Sequence, residues 1–167
     1  KRELYLFRDP CGIKPLFYTR KKQTLVFSSE LKALFHFPEV EPVIQRAGLN
    51  EIFSIGPGKT YGCGVFKDIH EVLPGHYIRY DRSGVHQVQY WKLVSRPHMD
   101  SYEETIEKVK FLVRDSIRRQ MVSDVPICTF LSGGIDSSIV TAVCAEELKK
   151  KGEQLNTFSF DFVNNDK

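Results

Sequence analysis

An α+β half followed by the opening of an α/β half is the fold class that this 167-residue sequence predicts. Residues 3–92 hold short aromatic or β-branched runs parted by turn residues, the mark of antiparallel strands. After residue 124 the order is strand, helix, strand, which opens a doubly wound parallel sheet. Between that strand and helix stands the tight turn Ser132-Gly133-Gly134.

Taken in order, residues 3–7, 16–20 and 24–27 are expected strands. Residues 29–35 read as a short helix with Ser29 near its cap, and residues 47–54 as another, stopped by Gly56-Pro57-Gly58. Residues 76–80 and 85–91 form an expected hairpin across Asp81-Arg82-Ser83-Gly84. These are expected to be the last strands of a sheet whose earlier partners lie outside the chain, which leaves unpaired edges. Residues 95–100 read as a linker, giving domains at 1–93 and 94–167. Ser101 with Glu104 supplies a capping box. Ile106, Val109, Val113, Ile117 and Met121 follow at helical spacing, an expected packing face against the sheet of the second domain. Residues 125–131 (strand), 138–150 (helix) and 155–160 (strand) complete the reading.

The turn between the last strand pair carries the chemistry. Glycines let a backbone approach an oxyanion closely, and the free N–H groups and positive dipole end of the following helix then face it. Three or four charge-assisted hydrogen bonds of roughly 1.5–3 kcal/mol each would hold a polyphosphate. Ser132, Ser137 and Ser138 offer hydroxyl donors, and Gly133 and Gly134 offer backbone in a turn expected to use a positive φ angle. A Walker loop needs a lysine after its last glycine, and none follows Gly134. Gly58-Lys59-Thr60 fails as well, because Phe53 occupies the position of the first glycine. Asp136 either organises Mg²⁺ beside a phosphate or, as a first-turn carboxylate, satisfies free helix N–H groups.

Composition narrows the class further. Hydrophobic residues make up 41% and charged residues 27%, close to globular averages, and the net charge of +3 is too small to argue for nucleic acid. Arg118-Arg119 and Lys149-Lys150-Lys151 fall near expected helix ends, where cations suit the dipole. No apolar run reaches the roughly 20 residues of a membrane helix, and no signal-like stretch opens the chain. Cys11, Cys63, Cys128 and Cys144 form no C-x-x-C pair, which fits reduced thiols and a cytoplasmic setting. The five histidines are scattered without an H-x-x-x-H pair.

Several stretches together resemble one family. Ser132-Gly133-Gly134-Ile135-Asp136-Ser137 after a hydrophobic strand is similar to the pyrophosphate loop of the ATP pyrophosphatases. Arg8-Asp9-Pro10-Cys11-Gly12-Ile13-Lys14-Pro15-Leu16-Phe17-Tyr18 and Phe27-Ser28-Ser29-Glu30-Leu31-Lys32-Ala33-Leu34 resemble successive motifs of the glutamine-dependent asparagine synthetases. Val72-Leu73-Pro74-Gly75-His76-Tyr77, Tyr90-Trp91 and Ser123-Asp124-Val125-Pro126 match further landmarks in the same order. Cys11 departs from the family's larger residue and reads as a packing variation.

The resemblance implies the C-terminal part of an N-terminal-nucleophile glutaminase sandwich, then the start of a doubly wound ATP-pyrophosphatase domain. It implies ATP and Mg²⁺, with glutamine and aspartate as co-substrates, and admits a homodimer of the full-length enzyme. The reaction implied is adenylation of the aspartate side-chain carboxylate, then displacement of AMP by ammonia freed from glutamine. Leu131 and Phe160 would meet the adenosine through their backbone, although Phe160-Asp161 stands where the family often has an aliphatic residue and glycine. The family's N-terminal catalytic cysteine has no counterpart at Lys1, and its N-G-E and S-G-E-G-x-D segments are not found, so no catalytic residue is assigned and an internal, inactive piece is expected. β-Lactam synthetases and other amidotransferases with a different acyl acceptor, or a non-catalytic binding module, are the alternatives.

Overall fold

A computed structural model describes residues 2–54 and 60–160. The expected Gly56-Pro57-Gly58 stop, the Gly58-Lys59 pattern and Asp161 lie outside the described residues. The chain divides into two compact units, Lys1–Ser95 and Arg96–Lys167.

The first unit holds two antiparallel three-stranded sheets. One pairs β1 (Leu4–Phe7) with β5 (His76–Asp81) and β5 with β6 (Gly84–Gln89). The other orders β3 (Thr24–Ser28), β2 (Phe17–Lys21) and β4 (His70–Glu71). The strand period of two explains the packing. Phe17 and Val26 join Leu34, Val40 and Ile69 in one core cluster, beneath α1 (Leu31–Leu34). The neighbouring positions Tyr18 and Leu25 turn to the other face and join Leu6, Ile78, Val72 and Val85 from the first sheet's side. α2 (Arg46–Ser54) completes the unit.

Three differences from the sequence expectation have local causes. β4 is only two residues long, too short for a periodic signal. The first short helix starts at Leu31 rather than Ser29, because Ser28 Oγ accepts from Glu30 N and holds an extended residue before it. β6 stops at Gln89 rather than Trp91 because the amides of Tyr90 and Trp91 both turn to Gly75 O, at 2.9 and 3.0 Å. Gly75 has φ +66°, and a Cβ there would sit 2.6 Å from Trp91 O, so the Leu-Pro-Gly-His stretch is fixed by this close approach.

In the second unit α3 (Tyr102–Gln120) begins with the expected capping box: Ser101 Oγ accepts from Glu104 N and Ser101 N donates to Glu104 Oε2. Arg114 pairs with Glu146 and Arg118 with Glu147, tying α3 to α4 (Ile135–Lys150). The apolar stripe expected to pack is exposed at Ile106, Val109 and Val113, and among the described residues no α3 side chain is fully buried. β7 (Cys128–Phe130) and β8 (Asn156–Phe158) pair in parallel, Cys128 opposite Asn156 and Phe130 opposite Phe158. The strand starts at Cys128 rather than Val125, since Ser123 Oγ bonds both N and O of Val125 and Pro126 has no N–H to give. α4 starts three residues before Ser138, with Gly134 as its N-cap.

Candidate functional site

The candidate site is the loop that leaves β7 and enters α4. Its base is tied down: Leu131 N donates to Phe158 O at 2.9 Å, and Ser159 Oγ donates to Leu131 O at 2.7 Å. Both backbone groups of Leu131 therefore already have partners on the β8 side. Gly133 has φ +83°, and a Cβ built on it would meet nothing within 4 Å. Gly134 is extended, at φ −77° and ψ 160°, so the left-handed conformation belongs to Gly133 alone. A side chain at Gly134 would meet only Ser132 Oγ, at 3.6 Å.

The loop's backbone amides point to an anion. Among the described residues no group accepts from the amides of Gly133 or Gly134, and the first intrahelical bond of α4 is Ser138 N to Gly134 O at 3.1 Å. Helix geometry leaves the amides of Ile135, Asp136 and Ser137 without intrahelical acceptors. Five consecutive N–H groups at the positive end of a 16-residue helix form one donor cluster.

The hydroxyls are arranged differently from the expected row of donors. Ser137 Oγ accepts from Ser132 N at 3.3 Å, lies 3.0 Å from Ser132 Oγ, and donates to Gly134 O at 3.1 Å. Ser138 Oγ also donates to Gly134 O, at 2.8 Å. Asp136 is exposed in the first turn of α4, and among the described residues no hydrogen bond or ion pair holds it, so there the capping role weighed for it is not taken up. Among the described residues no group of three His, Cys, Asp or Glu side chains gathers to bind a metal. A single unengaged carboxylate fits Mg²⁺ only when phosphate oxygens and water fill the other positions.

Phe160, 86% exposed, lies with its ring 6.0 Å from that of Phe130 at a 20° interplanar angle, and Phe158 flanks Phe130 at 6.4 Å. Thr141 Oγ1 donates to Thr129 Oγ1 at 3.0 Å, and Cys144 is buried, its thiol pushed up by desolvation. That thiol is a packing group. Cys11, expected to be a packing variation, is instead exposed, and its amide donates to Asp9 Oδ1.

What sequence reasoning missed lies in the first unit. Arg8 and Glu71, 6% and 5% exposed, pair at 3.0 Å, and Arg8 also donates to the carbonyls of Val72, Lys14 and Gly12. Asp9 accepts from the amides of Cys11, Ile13 and Lys14. Those bonds, first that from Lys14 and then that from Ile13, hold its carboxyl below the usual aspartate range. The Arg-Asp motif is thus an architectural knot.

A mixed sheet-and-helix unit with its own core is followed by a unit built on a parallel strand pair and a glycine loop. The family model for the glutamine amidotransferase domain matches residues 1–91, and the chain belongs to that family. The model for asparagine synthase matches residues 108–167. The chain is similar to the glutamine-hydrolysing asparagine synthetase 3 of Bacillus subtilis, 44% identical across 98% of this chain and 27% of that protein. It is 33% identical to asparagine synthetase 2 of the same organism, over 95% of this chain and 22% of the relative. It is 32% identical to the amidase chyE of Penicillium rubens, over 91% and 22%. The chain thus spans about a quarter of the length of these curated relatives.

Proposed function

We propose that this chain supplies the end of a glutaminase domain, residues 1–93, and the start of a synthetase domain, residues 94–167, to a glutamine-hydrolysing asparagine synthetase. The observation that carries this is the donor cluster of residues 133–137 on a parallel strand–helix junction, inside the segment matched by the asparagine synthase model. Two sheets sharing one core cluster support a reading of the first unit as part of an N-terminal-nucleophile sandwich. The parallel β7–β8 pair supports a doubly wound sheet in the second.

In this reading the substrates are ATP, aspartate and glutamine. The amides of Gly133, Gly134 and the first turn of α4 bind the pyrophosphate moiety of ATP, with Ser132, Ser137 and Ser138 shaping the loop. Leu131 and Phe160 border the nucleoside. Asp136 is the residue that would hold Mg²⁺, which neutralises phosphate charge when bound. The loop's donors stabilise the pyrophosphate leaving group as the aspartate carboxylate attacks the α-phosphorus. The resulting mixed anhydride then reacts with ammonia to give asparagine and AMP. A cytoplasmic setting, no nucleic-acid partner and a homodimer belong to the same proposal. Among the described residues no helix is long and apolar enough to cross a membrane.

A second reading keeps this chemistry and changes the acyl acceptor, and the similarity to an amidase favours keeping it in view. Aspartate-dependent pyrophosphate release from ATP by the whole protein separates the two. Gly134→Val should abolish that release while glutamate release from glutamine continues, because the branched side chain occupies phosphate space. Normal pyrophosphate release in that variant removes the loop from the nucleotide site.

A further inference from the structure

The strand register of the first unit gathers like charges at the end of the sheet opposite the Arg8 knot. Leu4 pairs with Tyr80 across β1 and β5, and that register, continued two residues past the strand, brings Arg2 toward Arg82. Like charges facing each other on paired strands are destabilising. Tyr80 Oη donates to Gln23 O, which draws the turn between β2 and β3, with Arg20 beside it, to the same end. Arg2, Arg20 and Arg82 line one open cavity of about 860 Å³, together with Glu3 and Asp81. The two carboxylates are already engaged. Glu3 Oε2 accepts from Tyr5 Oη at 3.1 Å. Asp81 Oδ1 accepts from Ser83 N at 2.7 Å and from Ser83 Oγ, and Asp81 Oδ2 lies 3.1 Å from Arg79 Nε. Of the three arginines, only Arg20 has a partner among the described residues, a carbonyl, Lys22 O, reached through Nε at 3.0 Å.

We infer that this cavity is a second binding site, for a small oxyanion carrying two or more negative charges, a phosphate monoester or a dicarboxylate, held by Arg2, Arg20 and Arg82. A guanidinium is a planar fork of N–H donors that matches the edge of a phosphate or carboxylate, and it stays charged at every working pH. Three such forks around one cavity, with the neighbouring carboxylates spent on other groups, leave positive charge that an anion of charge −2 offsets better than a monovalent one. All three arginines are exposed, so the attraction is screened by salt and the site suits a metabolite present at high concentration. The site lies wholly in the first unit and takes nothing from the loop between β7 and α4.

The test titrates the full 167-residue chain with inorganic phosphate and, separately, with succinate at low ionic strength, followed by residue-resolved amide NMR. Saturable shifts should appear at residues 2–4, 20–23 and 80–84, and the probe that binds more tightly names the class of anion. Arg20→Gln and Arg82→Gln should each weaken that binding roughly fivefold, with the rest of the spectrum unchanged. Lys22→Gln removes an exposed cation from the same turn, one that pairs with Glu39 at 3.4 Å and does not line the cavity, and affinity should stay as in the parent. Equal losses in Lys22→Gln and Arg20→Gln would mean that binding follows net charge rather than the cavity, and would overturn the proposal. Saturable shifts confined to residues 132–138 would place the anion on the other loop and overturn it too. So would the absence of saturable shifts with both probes.

Discussion

The turn that leaves β1 and the loop that leaves β7 both follow a strand end and both carry a conspicuous polar motif, yet they spend their polar groups in opposite ways. After β1, side chains serve the backbone: Asp9 takes three amides, and Arg8 serves three carbonyls and Glu71. After β7, the hydroxyls serve one another and one carbonyl, while the amides of Gly133 and Gly134 have no acceptor among the described residues. A motif's prominence in sequence therefore does not separate architecture from ligand binding. The state of its backbone amides does.

The largest expected effect is at Arg8. Arg8→Ala takes the guanidinium away from the 5% exposed Glu71 carboxylate and strips three carbonyls of a donor. Breaking a buried pair from one side costs about 3–5 kcal/mol. The single tryptophan, Trp91, lies in the same unit, so urea unfolding followed by its fluorescence measures the loss there. A cost under about 1 kcal/mol, the level of exposed pairs, would reclassify the knot as a surface feature.

The two loop glycines sharpen the other side of the comparison. Gly133→Ala places a Cβ at φ +83°, which costs about 1–2 kcal/mol of local conformational stability with no steric clash involved. Gly134→Ala keeps an allowed backbone, so its stability change should stay within about 0.5 kcal/mol. Its methyl group nevertheless enters the space the amides face, and pyrophosphate affinity should fall by roughly tenfold, about 1.4 kcal/mol. Thermal denaturation and calorimetry on both variants check this. Equal loss of stability at the two positions would mean that Gly134 also depends on a glycine-only conformation.

Much of this was legible in the chain. Strand alternation at residues 4–7 and 17–28, the hairpin at residues 81–84 and the Ser101 capping box each depend on neighbours a few residues away, and local physics sets them. The turn between β7 and α4 was legible for the same reason, being one strand end, two glycines and one helix start. β4 and the burial of Glu71 were not, because they depend on residues some 60 positions apart: Arg8 reaches Val72 O and Glu71 across that separation. The contact of Ser137 with the Ser132 amide was hidden too, since hydroxyl partners follow from which groups the fold brings within 3.3 Å. The exposed stripe of α3 shows that helical spacing predicts an apolar face without saying what covers it.

The smallest expected effect concerns acid and salt together. Asp9 is held below its ordinary value of 3.8 by the amides of Lys14 and Ile13. Glu146 and Glu147 are held below 4.5 chiefly by hydrogen bonds to Arg114 and to Lys150, respectively. In all three the folded value is depressed. The stability each adds is complete above its ordinary value and is lost as pH falls through the lower, folded one. Salt separates them. At about 1 M ionic strength the Debye length is about 3 Å, and exposed ion pairs between α3 and α4 are screened, whereas bonds from uncharged amides inside one turn are not. High salt should therefore flatten the acid sensitivity of helical circular dichroism, which α3 and α4 dominate, and leave that of Trp91 fluorescence in place. Asp9→Asn should flatten the Trp91 profile at any salt concentration, because its charge no longer changes with pH. If salt flattens both profiles alike, the knot after β1 is held by charge rather than by its amides, and the contrast between the two motifs is lost.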